Sequence, residues 1–252
     1  MTPEVSPWWF RLARLLVLLH LHMAVVAAVD YCQLPSCPGG SHTACKFKPG
    51  SGPAAKCSKD ANGLSASEKD DILNEHNKLR RQLANGELDG FASATDMETM
   101  KWDSELELVA QTWADQCAYG HDQCRHVERW SVGQNIAMTG SSAGFQSELL
   151  KKVNMWWDEY KEYSYHDGTF YFASGTGHFT QMAWAKTNLL GCGRSSYVEN
   201  GFTQEYLVCN YGPAGNVQGM KMYTAGAALL SSSLSFVAAA AAASLLAMWS
   251  LL

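Results

Sequence analysis

His178 is the residue whose type and surroundings best suit a functional site. It lies in the segment GHFTQMAW, which runs from Gly177 to Trp184. An imidazole can exchange protons or bind a metal near neutral pH, and here an apolar and aromatic run follows it. A second segment, YLVCNYGPAGN from Tyr206 to Asn216, joins a cysteine-bearing strand to a loop rich in proline and glycine. Because both segments concentrate uncommon residue types, we expect them to form one site.

The two segments resemble the paired signatures of the CAP superfamily, which includes cysteine-rich secretory proteins, antigen 5 and plant pathogenesis-related proteins of group 1. The resemblance covers roughly residues 30–223. The GQN motif, with Gln134 where the family usually has Glu, and the cysteine-dense segment YCQLPSCPGGSHTACKF are most similar to the insect antigen 5 branch. The family fold is a three-layer α-β-α sandwich. The resemblance also implies a tetrad of polar cavity residues, namely His121, Gln134, Glu159 and His178.

Acid-base catalysis by this tetrad is the first chemistry to consider. Two neighbouring carboxylates can raise the pKa of one of them, but Gln134 cannot ionise, so Glu159 stands alone. Glu159 with two imidazoles could still activate water as a general base. We expect no Ser in a strained nucleophile elbow, and Thr180 is a hydroxyl two residues after His178. We therefore expect a non-enzymatic protein, with a metal-dependent hydrolase as the alternative.

Metal binding would use His121 and His178, with Glu159 as a third ligand. Two imidazoles and one carboxylate make an open zinc site. The ligands lack HExxH spacing, so we expect no required cofactor and at most weak zinc binding. The competing interpretation is that both histidines are buried polar groups satisfied by hydrogen bonds to Glu159 and Gln134.

Binding of small hydrophobic ligands is the third possibility, because CAP proteins bind sterols and other lipids. Several aromatic residues could line an apolar groove with a few polar anchors: Trp156, Trp157, Tyr160, Phe170, Tyr171 and Phe172. The same residues could simply fill the core. Phe170 to Phe172 are consecutive, however, so they cannot all point inward from one strand. We expect one or two of them to be exposed.

Local patterns predict the elements that position these residues. Ser65 or Ser67 caps a first helix with Ile72, His76, Leu79 and Leu83 on its buried face, and Asn85-Gly86 ends it. A second helix follows Asp103 and carries Leu106, Val109, Ala110, Trp113 and Cys117 on one stripe. A short strand at GQNIAM, a third helix from about Phe145 to Tyr163 and a short helix from His178 to Trp184 come next. Helices flanking antiparallel strands predict an α+β layered domain, in agreement with the three-layer sandwich.

A strand hairpin is predicted around Asn200-Gly201, because this dipeptide favours a two-residue turn. That turn places Cys192 directly opposite Cys209 at a non-hydrogen-bonded pair, where α-carbons lie about 4.5 Å apart. A disulfide tolerates this separation. The other bridges are implied by the family resemblance alone: Cys32 to Cys45, Cys37 to Cys124 and Cys57 to Cys117.

The N-terminal segment predicts secretion. Arg11 and Arg14 precede an apolar run that ends in Val26-Ala27-Ala28, as in a signal peptide comprising residues 1–28. The even number of cysteines then indicates a disulfide framework. Residues 29–63 form a cysteine-rich extension and residues 64–224 the CAP domain. The chain carries a net charge of −5 and no basic stripe, which argues against nucleic acid as a partner.

The C-terminal residues 225–252 form a hydrophobic tail. From Leu229 onward this tail has no charged residue, and small residues and a serine-containing spacer precede its apolar end. This layout predicts a GPI-attachment signal and a tether to the outer membrane leaflet. A transmembrane span and an untethered terminus are the alternatives. A secreted venom or salivary protein acting on an extracellular protein partner is the remaining interpretation.

Overall fold

The strands form a sheet built around one antiparallel hairpin, and helices pack against both faces of this sheet. A computed structural model describes residues 29–58, 62–145 and 147–226. The helices are α1 (Thr43–Lys46), α2 (Ala66–Ala84), α3 (Ser104–Ala114), α4 (Leu149–Asp158) and α5 (Gly177–Met182), with 3₁₀ turns at Pro38–Gly40 and Glu159–Lys161. The strands are β1 (Cys57–Ser58), β2 (Lys101–Trp102), β3 (Gly133–Ser141), β4 (Leu189–Glu199) and β5 (Phe202–Gly212). The described residues from Tyr31 onward belong to one compact unit, whereas Val29 and Asp30 belong to the unit before it.

The predicted signal peptide lies outside the described residues, and so does the tail from residue 227 onward. The first two residues assigned to the tail, Ala225 and Gly226, instead pair with the domain at Ala94 and Ser93. Within the described ranges, no helix is both long enough and apolar enough to cross a membrane.

The β4–β5 hairpin has the register that the sequence predicts. Asn200 and Gly201 adopt positive φ angles of 52° and 79°, as a tight hairpin turn of this kind requires. Cys192 therefore lies opposite Cys209, and the two form a disulfide with α-carbons 4.1 Å apart. The sheet order is β1-β4-β5-β3, and β2 pairs in parallel with β4.

Alternation along β5 creates the two faces of the sheet. Tyr206 and Val208 pack in a core with Ala110 and Ala114 of α3, whereas Leu207 packs with α2, α4 and α5 in the larger core. The three-layer arrangement follows from this division. On the α3 face a β-carbon at Gly193 would lie 2.4 Å from the Gln111 α-carbon, so glycine permits the close approach of helix and strand.

Helix α2 begins and ends where the sequence predicts. Ser65 and Glu68 form a capping box, since each side chain bonds the other residue's backbone N–H. The helix ends at Ala84, and the four residues of its predicted face, Ile72, His76, Leu79 and Leu83, are buried.

Five predicted boundaries are wrong. Helix α4 begins at Leu149 rather than Phe145, because the backbone N–H of Glu148 turns to the buried Glu205 carboxylate at 2.7 Å. Helix α4 ends at Asp158, and Glu159 is the first residue of the 3₁₀ turn that follows it. Cys117 was predicted on α3 but lies beyond its end. Its φ angle is 48°, and it forms a disulfide with Cys57.

The remaining two boundaries concern short elements. Helix α5 ends at Met182 rather than at Trp184, and the strand predicted at GQNIAM continues to Ser141. The strand is longer because β5 offers partners along its whole length, from Gly133 opposite Tyr211 to Ser141 opposite Thr203. Such long-range pairing has no local sequence signal.

The N-terminal extension is attached to the domain by disulfides and hydrogen bonds. The bridges are Cys32–Cys45, Cys37–Cys124, Cys57–Cys117 and Cys192–Cys209. These are the four pairs given by the hairpin register and the resemblance. In addition, the Thr43 hydroxyl of α1 donates to Asp122, and the Thr43 backbone N–H donates to the Cys124 carbonyl at 2.8 Å.

Arg80 is a buried cation on α2 that binds backbone carbonyls. Its side chain donates to the carbonyls of Glu98, Met182, Trp184, Ala185 and Thr187, at distances between 2.6 and 3.3 Å. Burial lowers the pKa of Arg80 to about 9, so the group remains charged at neutral pH. This guanidinium ties α2 to the end of α5 and to the loop that follows it.

Replacing Arg80 by Met should destabilise the protein severely. The change leaves five carbonyls without their donor, and we expect it to lower the free energy of unfolding by at least about 3 kcal/mol. Urea denaturation monitored by tryptophan fluorescence measures this change. The control is Lys78→Met on the exposed side of the same helix, for which we expect a change within about 0.5 kcal/mol. Similar stabilities for both variants would contradict the role of Arg80.

Candidate functional site

Glu159 and His178 form a close pair at the start of α5. The Glu159 carboxylate accepts from His178 Nδ1 at 2.5 Å, from the His178 backbone N–H at 2.9 Å and from the Phe179 backbone N–H at 3.1 Å. Thr176, which precedes the helix, supplies no side-chain cap, so Glu159 serves as the cap from a distant element. The His178 ring also stacks on Trp156 at 6.0 Å between ring centroids. The pair is thus both a polar site and a helix cap.

His121 and Gln134 form a second pair. His121 Nδ1 lies 2.8 Å from Gln134 Oε1, and since an amide oxygen only accepts, Nδ1 carries the proton. Gln134 Nε2 donates to Asn210 Oδ1 at 3.0 Å and to Asp122 Oδ1 at 3.2 Å. Two acceptors therefore face this amide nitrogen. This arrangement explains why an amide rather than a carboxylate suits position 134.

Two successive residues of β3 contact the two pairs. Gln134 and Asn135 are successive residues of this edge strand, so their side chains point to opposite faces. Gln134 turns to Asn210 and His121, whereas Asn135 Nδ2 donates to the His178 carbonyl at 3.1 Å. The tetrad predicted from the resemblance is thus arranged as two hydrogen-bonded pairs, with Asn135 as the neighbour that joins strand β3 to α5.

A buried network behind His178 was not identified from the sequence as part of the site. Asn135 Nδ2 donates to the Tyr211 hydroxyl at 3.2 Å, and His76 Nε2 lies 2.9 Å from that hydroxyl. His76 Nδ1 lies 2.8 Å from the Ile72 carbonyl, which only accepts, so Nδ1 is protonated and Nε2 accepts from Tyr211. Burial lowers the pKa of His76 to about 4 and raises that of Tyr211. Both groups are therefore neutral at physiological pH.

The geometry does not assemble the three-ligand metal set. Among the described residues, no group of three or more His, Cys, Asp or Glu side chains is arranged to hold an ion. Glu159 already accepts three hydrogen bonds, and both histidines use Nδ1 for a protein partner. In the part of the chain that the structure covers, Nε2 is the ring atom without a protein partner on each histidine.

The predicted aromatic groove is divided between core and surface. Trp156, Trp157 and Phe170 are buried, whereas Tyr171 is 51% and Phe172 is 74% exposed. These two belong to a loop rather than a strand, and the expectation that one or two would be exposed is confirmed. Val217 and Met220 on a neighbouring loop are also exposed. We call Tyr171, Phe172, Val217 and Met220 the apolar rim.

Two surface cavities lie away from the tetrad. One, of about 440 Å³, lies between the first turns of α2 and α4, and the other, of about 400 Å³, lies beside Trp130. The first is lined by Glu68, Asp71 and residues 147–151, and the second by Glu98, Thr99, Lys101, Trp130, Lys186, Asn188, Leu189 and Pro213. Acidic and basic side chains are prominent in both, so neither is the aromatic groove that the sequence suggested.

The fold and the arrangement of these residues define a class of protein. The model of the cysteine-rich secretory protein family, CAP, matches residues 73–211. The chain therefore belongs to the CAP family.

Individual relatives confirm the resemblance to insect antigen 5. The chain is 45% identical over 202 residues to venom allergen 5 of Vespa mandarinia, which covers 77% of this chain and 98% of that protein. It is 40% identical over 214 residues to venom allergen 5.02 of Dolichovespula maculata, with coverage of 81% and 98%. Among solved structures, BmVAL-1 is 29% identical with a TM-score of 0.57 and coverage of 65% and 84%. NaASP2 with Zn²⁺ is 32% identical with a TM-score of 0.56 and coverage of 68% and 90%.

Replacing Gln134 by Glu should weaken the His121 half of the site. The new carboxylate would face Asp122 and lose the bond to Asn210, so we expect a loss of about 1 to 2 kcal/mol at pH 7. The loss should shrink in acid, where one carboxyl group takes up a proton. Thermal denaturation at several pH values measures it. The matched control is Gln218→Glu, which keeps the oxygen that accepts from the Phe172 N–H. Equal stability of both variants would contradict this account.

The buried His76 should make stability depend on pH. The pKa of His76 is lower in the folded protein than in the unfolded chain, so the unfolded chain binds the proton more tightly. This contribution to stability is complete above pH 6.5 and declines as the pH falls towards 4, by on the order of 3 kcal/mol in total. We expect His76→Gln to flatten the decline in urea titrations. Replacing the exposed His166 by Gln should leave it unchanged, and a slope retained in His76→Gln would contradict the assignment.

Proposed function

We propose that this protein is an extracellular, non-enzymatic binding module for small hydrophobic ligands such as sterols, fatty acids or lipid mediators. The observation that carries the proposal is the apolar rim, whose four large side chains are exposed on two hydrogen-bonded loops, one of which also bonds the residue before His178. Contiguous exposed apolar side chains on a soluble domain mark a binding surface more often than scattered ones do.

Backbone hydrogen bonds hold the two loops of the rim together. The Phe170 N–H donates to the Met220 carbonyl at 2.8 Å, and the Gly219 N–H donates to the Phe170 carbonyl at 3.0 Å. The Phe170 side chain is buried and anchors the first loop. Tyr171 and Phe172 are thus held outward by a fixed backbone rather than exposed at a free end.

The rim adjoins the polar pair. Asn216 Nδ2 donates to the Gly177 carbonyl at 2.9 Å, so the second rim loop is bonded to the first residue of α5. His178 follows Gly177 and is partly exposed. An apolar surface beside one imidazole and one carboxylate suits an amphiphile with a hydrophobic body and a polar end.

The groups available for catalysis in this region are engaged in structure, which supports a non-enzymatic role. The Thr180 hydroxyl is buried and donates to backbone carbonyls of the preceding turn. All eight cysteines of the chain are in disulfides. Glu159 caps α5 through two backbone N–H groups. The threonine hydroxyl, the cysteine sulfurs and the Glu159 carboxylate therefore already have partners, and, within the residues that the structure describes, the Nε2 atoms of His121 and His178 are the groups left open to a ligand.

Weak zinc binding is the second candidate, and a specific relative favours it. NaASP2, whose structure carries Zn²⁺, is 32% identical to this chain. Here His121 and His178 would offer Nε2 as the donor atom. Since the described residues do not form a three-ligand set, we derive no hydrolytic step from such an ion.

We further propose that the protein is extracellular, on the basis of its four disulfides and its C-terminal sequence. Disulfides persist in oxidising compartments. A GPI tether would hold the domain at the outer leaflet. If no lipid binds, the alternative partner is an extracellular protein.

Replacing Phe172 by Ser should weaken binding of a hydrophobic probe. If a ligand covers about half of this ring, the loss is about 1 kcal/mol, or roughly fivefold in Kd. Titration with the fluorescent fatty acid cis-parinaric acid, and its displacement by cholesterol, measure this change.

The matched control is Phe202→Ser at the β4–β5 turn, where the ring is 47% exposed but distant in sequence from the rim. We expect an unchanged Kd for this variant. Failure of the unaltered protein to bind either probe, or an equal loss in both variants, would overturn the proposal.

A further inference from the structure

We propose that the apolar rim docks the domain onto the surface of a lipid bilayer. This inference rests on the proposed function, since it names the lipid surface as the partner from which the rim takes its ligand. The rim combines Tyr and Phe with Val and Met, and exposed aromatic side chains of this kind partition into the interfacial region of a membrane.

The exposure of the rim is large for side chains of this type. Phe172 is uncovered over 74% of its surface and Met220 over 55%. Both cavities described above are lined by other residues. All four side chains are exposed on two loops that backbone hydrogen bonds hold together.

The rim lies only a few residues along the chain from the uncharged C-terminal tail, and this short spacing favours a bilayer as the partner. Gly226, the last described residue, lies six residues after Met220 in the chain. Six extended residues span at most about 20 Å. The segment Leu229–Leu252 begins three residues after Gly226 and has no charged residue. A tail held at a lipid surface, by a GPI group or by its own apolar residues, brings this edge of the domain to that surface.

The charges beside the rim suit an electrically neutral surface. Lys221 follows Met220 but is paired with Asp167 at 2.7 Å, and the ring of His166 packs against Tyr171 at 6.1 Å. No excess of positive charge therefore adjoins the rim within the described loops. We accordingly expect docking to phosphatidylcholine without any requirement for anionic lipid.

Oxidation of Met220 tests docking in the full chain. Hydrogen peroxide converts exposed methionine to the sulfoxide, and peptide mass spectrometry measures the rate at each position. Met155 on α4 is 50% exposed and lies outside the rim, so it serves as an internal control. On vesicles of pure phosphatidylcholine, without sterol or fatty acid, we expect the rate ratio of Met220 to Met155 to fall roughly fivefold as the lipid covers Met220. Phe172→Ser should abolish this protection, and Phe202→Ser should preserve it.

Three results would overturn docking. If the ratio is unchanged on vesicles while cis-parinaric acid still binds, the bilayer inference fails and the proposed function stands. If the ratio is unchanged and no probe binds, both fail. If Met220 is already protected without lipid, in a manner that depends on protein concentration, the rim is covered by a second copy of the chain rather than by a bilayer.

Discussion

The buried guanidinium of Arg80 is the interaction on which the candidate site most depends. Helix α5 has six residues and would not be stable in isolation. Its first N–H groups are capped by the Glu159 carboxylate, and carbonyls from its last turn and the following loop accept from Arg80. A negative group at the N-terminus and a positive group at the C-terminus both complement the helix dipole. His178 is therefore positioned by charges supplied from two other elements of the fold.

Asp122 has a comparable role for the other pair. Its carboxylate accepts from the Gln134 amide, from the Arg125 guanidinium and from the Thr43 hydroxyl of the N-terminal extension. One buried acid thus joins the His121 loop, the edge strand and the extension. The presence of Gln rather than Glu at position 134 fits this arrangement, because a second carboxylate would face the first without a donor between them.

Local sequence signals predicted the elements whose causes are themselves local. The capping box at Ser65 and Glu68 and the turn at Asn200-Gly201 each fix geometry within a few residues, and both are found where expected. Arg80 could not be assigned in this way, because its acceptors lie up to 107 positions away in the chain. The same is true of Tyr211 and Asn135, which the pattern of their strands marks only as buried or edge positions. The resemblance named the four tetrad residues, but their division into two pairs depends on the pleat of β3 and required the structure.

Two disulfides restrain the loop that carries His121. The loop that carries His121 lies between Cys117 and Cys124, and each of these cysteines is bridged to the extension, to Cys57 and Cys37 respectively. The two bridges span 60 and 87 positions of the chain. A newly made chain in a reducing compartment lacks both clamps, even where α2 and the β4–β5 hairpin can form from local signals. We therefore expect the His121 half of the site to form fully only after both bridges have formed in an oxidising compartment.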